Sequence, residues 1–464
     1  MNKGGKAGPP VRSEDPTAWA KADSILDHYQ RLKRDVFSKT AKNSFLVLGG
    51  NIFTQGLSFL VAVIIARTLG PSDYGIFAVA YIFMIFAIDI ADFGMEKSFI
   101  RYYSLYSLSD QKKADQLFSN LFALKLLIGV VLCFTVYLFS GYLAKSLFHS
   151  PELIVPLRLA GVGFIGGALL RFEASFLQAT EQFRKYILVN LTHSIFRIGG
   201  LSALILLSII SIDNSMLLYV IAFFSGLIFA SFLLPNFRLS FPKSKEVFAQ
   251  MFRLSKWIFV STILVMVETR LDFFMLGHLS TREEVGYFSA AWNIAYILPL
   301  IIVSACTALF PRVSRMLSRG ELKTYVKRLL SFCPLIVPVV IGAVFFSRWA
   351  ILLVYGSEYL ASVVPLQVLF MGYSLILLIV PVSLVLYSLD KAWAIAIVNL
   401  LELLSHGIAN YFLIPSHGAS GAAFSNLIVK IITTVGILVF VYLSLKKTDR
   451  VVEPRDLCAE VAEV

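Results

Sequence analysis

The stretch ARTLGPSDYGIFAVA, residues 66–80, joins the end of one apolar segment to the start of the next. The first segment ends in Leu69 and Gly70, and Gly75 opens the second, followed by an aromatic residue and small residues. A glycine suits the end of a helix because it adopts left-handed backbone angles at little cost. The stretch therefore predicts two consecutive helices joined by a short turn.

The same pattern returns in the second half of the chain as MLGHLSTREEVGYFSAA, residues 275–291. Its Leu-Gly pair lies 207 residues after the first one, a spacing close to half of the chain. With six helices in each half, both halves have the same orientation and are related by an axis along the membrane normal. The alternative is a chance similarity of two turns.

The composition predicts a membrane protein. The 464 residues are 58% hydrophobic and 15% charged, with a mean hydropathy of +0.77, whereas an ordinary soluble domain carries about 25% charged residues. A soluble enzyme, a disordered chain and a disulfide-built secreted domain are therefore excluded. The apolar runs are continuous, so a β-barrel of short alternating segments is excluded as well.

The apolar runs predict an all-α polytopic membrane protein with about twelve transmembrane helices in two six-helix bundles, because a bilayer core needs roughly 20 apolar residues per helix. The predicted helices are 44–66, 75–93, 117–139, 153–178, 185–210, 215–235, 254–277, 285–310, 329–346, 363–387, 391–414 and 418–443. The predicted domains are a cytoplasmic tail (1–43), an N-terminal bundle (44–235), a cytoplasmic linker (236–253), a C-terminal bundle (254–443) and a second cytoplasmic tail (444–464).

The basic residues predict the orientation. Of 41 Lys and Arg, 31 fall on the side that holds both termini and 4 on the other, which by the positive-inside rule makes both termini cytoplasmic in the cell membrane. The net charge of +12 then mostly reflects the excess of basic residues on the cytoplasmic side of the membrane, and it gives no support to nucleic-acid binding. Residues 17–40 predict an amphipathic basic helix on the inner leaflet, the alternative being a plain cytosolic linker helix.

The sequence lacks the common motifs of metal binding, cofactor binding and nucleotide binding. The four cysteines form no CxxC pair, the six histidines form no HExxH pair, and neither a Walker A loop nor a GxGxxG turn is present. Such cysteines ordinarily serve as small buried apolar residues. The sequence therefore predicts no metal site, no cofactor and no ATP-binding motif.

Residues 66–78 resemble the start of bacterial and archaeal oligosaccharide and polysaccharide flippases, which belong to the multidrug/oligosaccharidyl-lipid/polysaccharide exporter superfamily. Three further stretches resemble the same family. They are RLDFFMLG (270–277) together with VGY (285–287), ALFPR (308–312) and GASGAAFS (418–425). The resemblance covers about residues 40–445. It implies a central cavity between the two bundles, and movement of a polyprenyl-pyrophosphate-linked oligosaccharide from the inner to the outer leaflet by alternating access.

Ionisable residues inside the predicted helices are the candidate site residues, since such groups are costly in a bilayer and normally face a cavity or a partner. The candidate ligands of a pyrophosphate are Lys125, Arg197, Arg270 and Lys430, while Arg158 and Arg171 lie nearer uncertain helix ends. An arginine offers a planar fork of donors for phosphate oxygens. The alternative is internal pairing, of Arg171 with Glu173 or of Arg270 with Glu268 or Asp272.

Three carboxylates are candidates for coupling to an ion gradient. Glu268 and Asp272 lie four residues apart and share a helix face, and Glu402 lies in the middle of the eleventh predicted helix. A buried carboxylate can exchange a proton or bind Na⁺. Structural pairing is the equal alternative.

A flippase for lipid-linked oligosaccharide in polysaccharide or glycan biosynthesis is the leading functional hypothesis, with membrane lipids as surroundings and glycosyltransferases or a polymerase as functional partners. A multidrug or small-cation antiporter of the same superfamily is the alternative, although it favours a cavity dominated by acids. A polysaccharide polymerase or ligase is a further alternative. It is disfavoured because the longest predicted outer loops show no catalytic constellation.

Overall fold

The computed structural model describes residues 16–92, 95–234, 263–313, 316, 318–331, 333–389 and 391–446. These residues are helical almost throughout and contain no β-strand. The helices are α1 Pro16–Asp92, α2 Met95–Ser109, α3 Gln111–Tyr142, α4 Ile154–Ala179, α5 Phe183–Leu206, α6 Ile212–Leu233, α7 263–279, α8 Arg282–Ala295, α9 Ile297–Val313, α10 Arg319–Leu330, α11 Cys333–Val354, α12 Val363–Ser388 and α13 Ala392–Lys446.

The chain divides into two compact units, Met1–Ile52 and Phe53–Val464. All of the contacts described below lie in the second unit. The predicted linker at 236–253 and residues 447–464 of the predicted C-terminal tail lie outside the described residues. The predicted basic helix at 17–40 falls on the backbone of α1, and its side chains are outside the described part of the chain.

Within the described residues, nine helical segments are long and apolar enough to cross a membrane. Two of them, Leu46–Asp92 with 47 residues and Trp393–Lys446 with 54, exceed the length of a single crossing, which takes about 20 residues. Both are interrupted by a glycine with a left-handed backbone, Gly70 with φ 76° and Gly418 with φ 51°. The all-α polytopic membrane fold is confirmed, and the count of twelve crossings stays a prediction.

The surface of the described helices is apolar, as a bilayer requires. Leu206, Phe232 and Leu353 are each more than 80% exposed. Many other large apolar side chains of α3, α11 and α13 are also exposed, and such continuous apolar surface on a water-soluble monomer would promote association. Lipid tails are therefore the natural surroundings of these helices.

Helix packing follows the order of the chain. Helix α4 packs against α3, α5 and α6, and α5 also packs against α6. Helix α12 packs against α8, α9, α11 and α13. One large apolar core joins buried residues from both parts of the chain, for example Ile65, Phe164, Phe288 and Leu366. The bundle boundaries at 44–235 and 254–443 stay predictions.

The two copies of the repeated motif contact each other at the helix end near Gly70. A Cβ atom on Gly75 would lie 1.9 Å from the carbonyl oxygen of Arg282, and a Cβ atom on Gly286 would lie 2.1 Å from that of Pro71. Any side chain at either glycine would overlap backbone, because real Cβ atoms do not come so close to other atoms. We call this reciprocal contact the glycine crossing. It explains why both copies of the motif carry a glycine at this position.

Hydrogen bonds also join distant parts of the chain at the end of the molecule that holds the glycine crossing. Arg67 Nε donates to the carbonyl oxygen of Val354 over 2.7 Å. The hydroxyl of Tyr359 donates to the carbonyl oxygen of Ala66, also over 2.7 Å. Early and late parts of the chain are therefore tied together around the glycine crossing, and this end of the molecule is closed.

Candidate functional site

Helix α7 carries three charged side chains that serve two different sites. Glu268 and Asp272 lie one helical turn apart and share a face, whereas Arg270 lies between them in sequence and points elsewhere. In the structure, Arg270 contacts α1 and the two carboxylates contact α13. One helix therefore connects an arginine site with a carboxylate site.

The arginine site is built around Asp89 of α1. Arg171 of α4 forms an ion pair with Asp89 Oδ1, and Nη2 of Arg270 lies 3.6 Å from Asp89 Oδ2. The guanidinium of Arg270 also lies 5.9 Å from the centre of the Trp292 ring. The side chains of Arg171 and Arg270 are 43% and 17% exposed, so both are partly accessible. We call Arg171 and Arg270 the arginine pair.

This arrangement corrects the internal pairings predicted from the sequence. Arg171 does not pair with Glu173, and Arg270 does not pair with Glu268 or Asp272. Residues two apart on a helix do not face each other, so each arginine finds its carboxylate on another helix. Glu173 instead accepts a hydrogen bond from Ser231 over 2.9 Å.

Lys125 is a buried ion-pair partner within the helices. Its Nζ atom lies 2.9 Å from Asp92 Oδ1 and 3.5 Å from Glu96 Oε1, and its side chain is 1% exposed. Two carboxylates therefore neutralise this cation and bury it. The structure places Lys125 in an internal ion pair, as it does for Lys430.

Arg197 of α5 is a buried cation, and among the described residues no carboxylate forms an ion pair with it. Its Nη2 donates to the hydroxyl of Ser58 over 2.6 Å, and its guanidinium lies 5.2 Å from the centre of the Tyr219 ring. Its Nε atom is buried without a hydrogen-bond partner. A buried charge without a counter-charge is costly, so Arg197 stays a candidate ligand of an anion.

The carboxylate site is a cluster of buried polar side chains from α7 and α13. Its members are Glu268, Asp272, Glu402, His406, Asn410, Asn426 and Lys430, each at most 8% exposed. We call it the α7–α13 cluster. Along α13, its members recur at intervals of four residues, first before the break at Gly418 and then after it. This spacing places them on one helix face.

Lys430 and His406 lie at the centre of the α7–α13 cluster. Nζ of Lys430 lies 2.5 Å from Glu402 Oε1 and 2.9 Å from Glu268 Oε1. The ring of His406 lies between the two carboxylates of α7, with Nε2 2.7 Å from Asp272 Oδ1 and Nδ1 3.3 Å from Glu268 Oε1. All three candidate coupling carboxylates thus share one connected cluster.

Amide side chains complete the surroundings of Asp272. Asn410 Nδ2 donates to Asp272 Oδ1 over 2.8 Å, and Asn426 Nδ2 lies 3.5 Å from Asp272 Oδ2. The described residues hold no group of three His, Cys, Asp or Glu side chains arranged to bind a metal ion. Together, these ion pairs and hydrogen bonds join the members of the cluster in one network.

Comparison with known proteins identifies the family. The sequence profile described as "Polysaccharide biosynthesis protein" matches residues 40–317, which is more than half of the chain. The chain belongs to the polysaccharide biosynthesis protein family. The resemblance predicted from residues 66–78 and the later stretches is confirmed.

Two curated relatives of this family member are similar over most of their length. A putative O-antigen transporter of Shigella flexneri is 24% identical over 390 residues, covering 81% of this chain and 92% of the relative. A probable low-salt glycan biosynthesis flippase, Agl15 of Haloferax volcanii, is 24% identical over 406 residues, covering 85% of this chain and 82% of the relative. Both names describe transport proteins.

A solved structure shares the fold. The lipid II flippase MurJ in an inward closed conformation matches with a TM-score of 0.73 at 17% sequence identity, over 86% of this chain and 87% of MurJ. At this identity the match establishes the fold. The polysaccharide biosynthesis protein described here therefore shares its fold with MurJ.

Proposed function

We propose that this protein flips a polyprenyl-pyrophosphate-linked oligosaccharide from the inner to the outer leaflet for polysaccharide or glycan biosynthesis. Membership of the polysaccharide biosynthesis protein family and the transporter and flippase relatives support this function. The observation that carries the proposal is the convergence of Arg171 and Arg270 on the single carboxylate of Asp89.

The arginine pair has the geometry of a diphosphate site. Two guanidiniums that converge on one carboxylate can converge on one phosphate group, because both ligands present anionic oxygens to planar forks of N–H donors. Asp89 then holds the position that the anion takes. A diphosphate with more negative charge than one carboxylate competes for the same donors.

Arg197 is the second proposed ligand of the lipid diphosphate. It lies buried on α5, and its Nε donor has no partner. An anion that binds there satisfies this donor and balances the buried charge, which favours binding in a low-dielectric site. Lys125 and Lys430 are left out of the proposed substrate site because two carboxylates already neutralise each of them.

The ion pair of Asp89 with Arg270 is the proposed link between binding and movement. It joins α1 to α7 in the closed arrangement. When a diphosphate draws Arg270 from Asp89, this tie between the early and late parts of the chain is released. The helices then separate at one end and close at the other, which is alternating access driven by the substrate itself.

The distribution of Lys and Arg assigns the sides of the membrane in this proposal. With both termini in the cytoplasm, as the positive-inside rule predicts, the glycine crossing lies at the outer end of the protein. The protein works in the cell membrane, without an ATP-binding motif of its own. Glycosyltransferases supply its lipid-linked substrate and a polymerase or ligase consumes it.

The proposal is tested with the purified protein in proteoliposomes. A fluorescent polyprenyl-diphosphate sugar and a matched neutral lipid-linked sugar without phosphate are added to the donor leaflet, and their appearance in the opposite leaflet is followed. We expect transfer of the diphosphate lipid only. Extrusion of cationic dyes without transfer of the diphosphate lipid would contradict the proposal and favour a multidrug antiporter.

A further inference from the structure

Residues 143–153 connect α3 to α4 and lie against the end of α7. The buried ring of Phe148 fills the space beside Gly277, where an added Cβ atom would lie 3.0 Å from Cδ1 of that ring. Each of these two residues is followed by a histidine, namely His149 and His278. The packing of Phe148 on Gly277 therefore brings together two histidines that lie far apart in the sequence, which is why the sequence predicts no metal site.

The two imidazole rings lie close together and nearly parallel. The centres of the His149 and His278 rings are 5.6 Å apart, and the ring planes are inclined by 24°. A zinc–nitrogen bond of about 2.0–2.1 Å puts the metal roughly 3.2 Å from each ring centre, so two imidazoles on one tetrahedral zinc ion have centres roughly 5.2 Å apart. The observed separation is close to this value. One metal ion can therefore bridge the two rings after a small adjustment of their side-chain torsions.

The ring of His278 is already oriented as a metal ligand. Its Nδ1 atom lies 2.6 Å from the carbonyl oxygen of Leu147. A carbonyl oxygen only accepts, so Nδ1 is the donor, and in the neutral ring Nε2 keeps its lone pair. Metal-binding histidines almost always donate their second ring N–H in this way, which fixes the tautomer and the orientation of the ring.

His149 is held in an unusual backbone conformation. Its φ of 50° lies in the left-handed region, which few residues other than glycine adopt. The backbone on both sides is fixed, because the N–H of Phe148 donates to Leu143 over 2.9 Å and that of Ser150 to Ala144 over 2.8 Å. Such conformations cluster at functional sites. The rings of both histidines are exposed, so an ion from solution can reach them.

The surroundings of the two rings suit a divalent cation with nitrogen ligands. A cavity of about 200 Å³ adjoins His149 and includes Glu283 in its wall, and the nearby cation Arg282 pairs with Glu152 over 3.2 Å. The described part of the chain offers no third His, Cys, Asp or Glu side chain for the same ion, so water completes its coordination. Imidazole ligands suit Zn²⁺, Cu²⁺ and Ni²⁺, whereas Mg²⁺ and Ca²⁺ prefer oxygen.

We propose that His149 and His278 bind a divalent transition-metal ion such as Zn²⁺, with one ring nitrogen from each histidine and water in the remaining positions. The ion ties residues 143–153 to α7 beside the glycine crossing, since Gly75 and Gly277 line the same cavity. A ligand stabilises the arrangement that it binds, so the ion holds this end of the molecule closed. The metal site itself does not depend on the proposed flippase function.

The first test is isothermal titration calorimetry of Zn²⁺ into the protein without a histidine tag, in detergent at pH 7. We expect one Zn²⁺ per chain, and an affinity at least about tenfold weaker in His278→Ala and in His149→Asn, since each removes one of two protein ligands. Asparagine is chosen at position 149 because it tolerates left-handed backbone angles. His417→Ala, which removes an exposed histidine of α13, should bind as the wild type does, and Mg²⁺ should not bind.

The site is overturned if the wild type binds no Zn²⁺, or if the folded His278→Ala and His149→Asn proteins bind it as tightly as the wild type. A loss of the same size in His417→Ala would place the ion elsewhere and would also overturn the site. If His278→Ala does not fold, His149→Asn decides alone.

The second test follows transfer of the diphosphate lipid in proteoliposomes, with Zn²⁺ at ten times its dissociation constant. At this concentration the closed arrangement gains about elevenfold over one that does not bind the ion. Transfer by the wild type should fall up to about tenfold, and transfer by His149→Asn at most about twofold. Unchanged transfer by the wild type would contradict the closing effect of the ion. A wild type that binds Zn²⁺ and transfers no lipid without the ion would overturn the flippase function and leave the metal site standing.

Discussion

Asp89 on α1 and Arg270 on α7 lie 3.6 Å apart although 181 residues separate them in the sequence. The same carboxylate also pairs with Arg171 on α4. A carboxylate shared by two arginines therefore ties three helices together. The arginine pair remains partly exposed, and we propose that an anionic ligand competes for it.

Replacement of Asp89 by Asn should strengthen the binding of inorganic pyrophosphate. The ligand then no longer displaces a carboxylate, and we expect an affinity gain of about tenfold, equivalent to ~1.4 kcal/mol. Isothermal titration calorimetry in detergent measures it. Asp115→Asn is the control, because Asp115 accepts a hydrogen bond from Gln111 on an exposed part of α3. Unchanged or weaker binding in Asp89→Asn would argue against a shared anion position.

Replacement of Gly286 by Ala should prevent closure at the glycine crossing. The added Cβ atom would lie 2.1 Å from the carbonyl oxygen of Pro71, so the helices must separate there. Spin labels at Ser72 and Ser280 should report a longer distance, and transfer of the lipid should fall at least about tenfold, since closure of one end is part of each cycle.

A matched control for this glycine is available on α11. A Cβ atom on Gly342 would meet no other atom within 4 Å, so Gly342→Ala should leave both the spin-label distance and the transfer rate unchanged. A Gly286→Ala protein with the wild-type distance would show that the glycine crossing does not control closure.

Replacement of Lys430 by Met should destabilise the protein. It removes the partner of Glu268 and Glu402 and leaves both carboxylates buried, which costs roughly 3–5 kcal/mol for a broken buried ion pair. Thermal unfolding in detergent should show a lower midpoint. The double variant Lys430→Met with Glu402→Gln should recover part of the loss, since one buried charge is removed. Equal midpoints in the wild type and the single variant would contradict the ion-pair network.

Much of the fold could be predicted from local patterns. Continuous apolar runs fix the helical membrane class, because backbone groups in lipid must be satisfied within a helix. The repeated Leu-Gly and Gly-aromatic pattern predicted the break at Gly70 and equivalent positions for Gly75 and Gly286. The close contact between these two glycines could not be predicted, since sequence gives the period of each helix and not its neighbours.

The sites were only partly predictable for the same reason. Glu268 and Asp272 were placed correctly on one face of a helix by their spacing. His406 was missed because a single histidine in an apolar run carries no pattern, although its interval of four from Glu402 and Asn410 on the same helix was a usable signal. The partner of Arg270 was also missed, because an ion pair between distant helices leaves no trace in a single sequence.

The most direct measurement is the rate of transfer of the diphosphate lipid by Arg270→Ala in proteoliposomes. One charged hydrogen bond contributes about 1.5–3 kcal/mol, so the rate should fall roughly 10- to 150-fold. Arg270→Lys should also be impaired because the planar fork is lost. Arg158→Ala is the control, since Arg158 contacts Ser140 and Tyr137 away from the arginine pair. A folded Arg270→Ala protein that transfers the lipid at the wild-type rate would contradict the account.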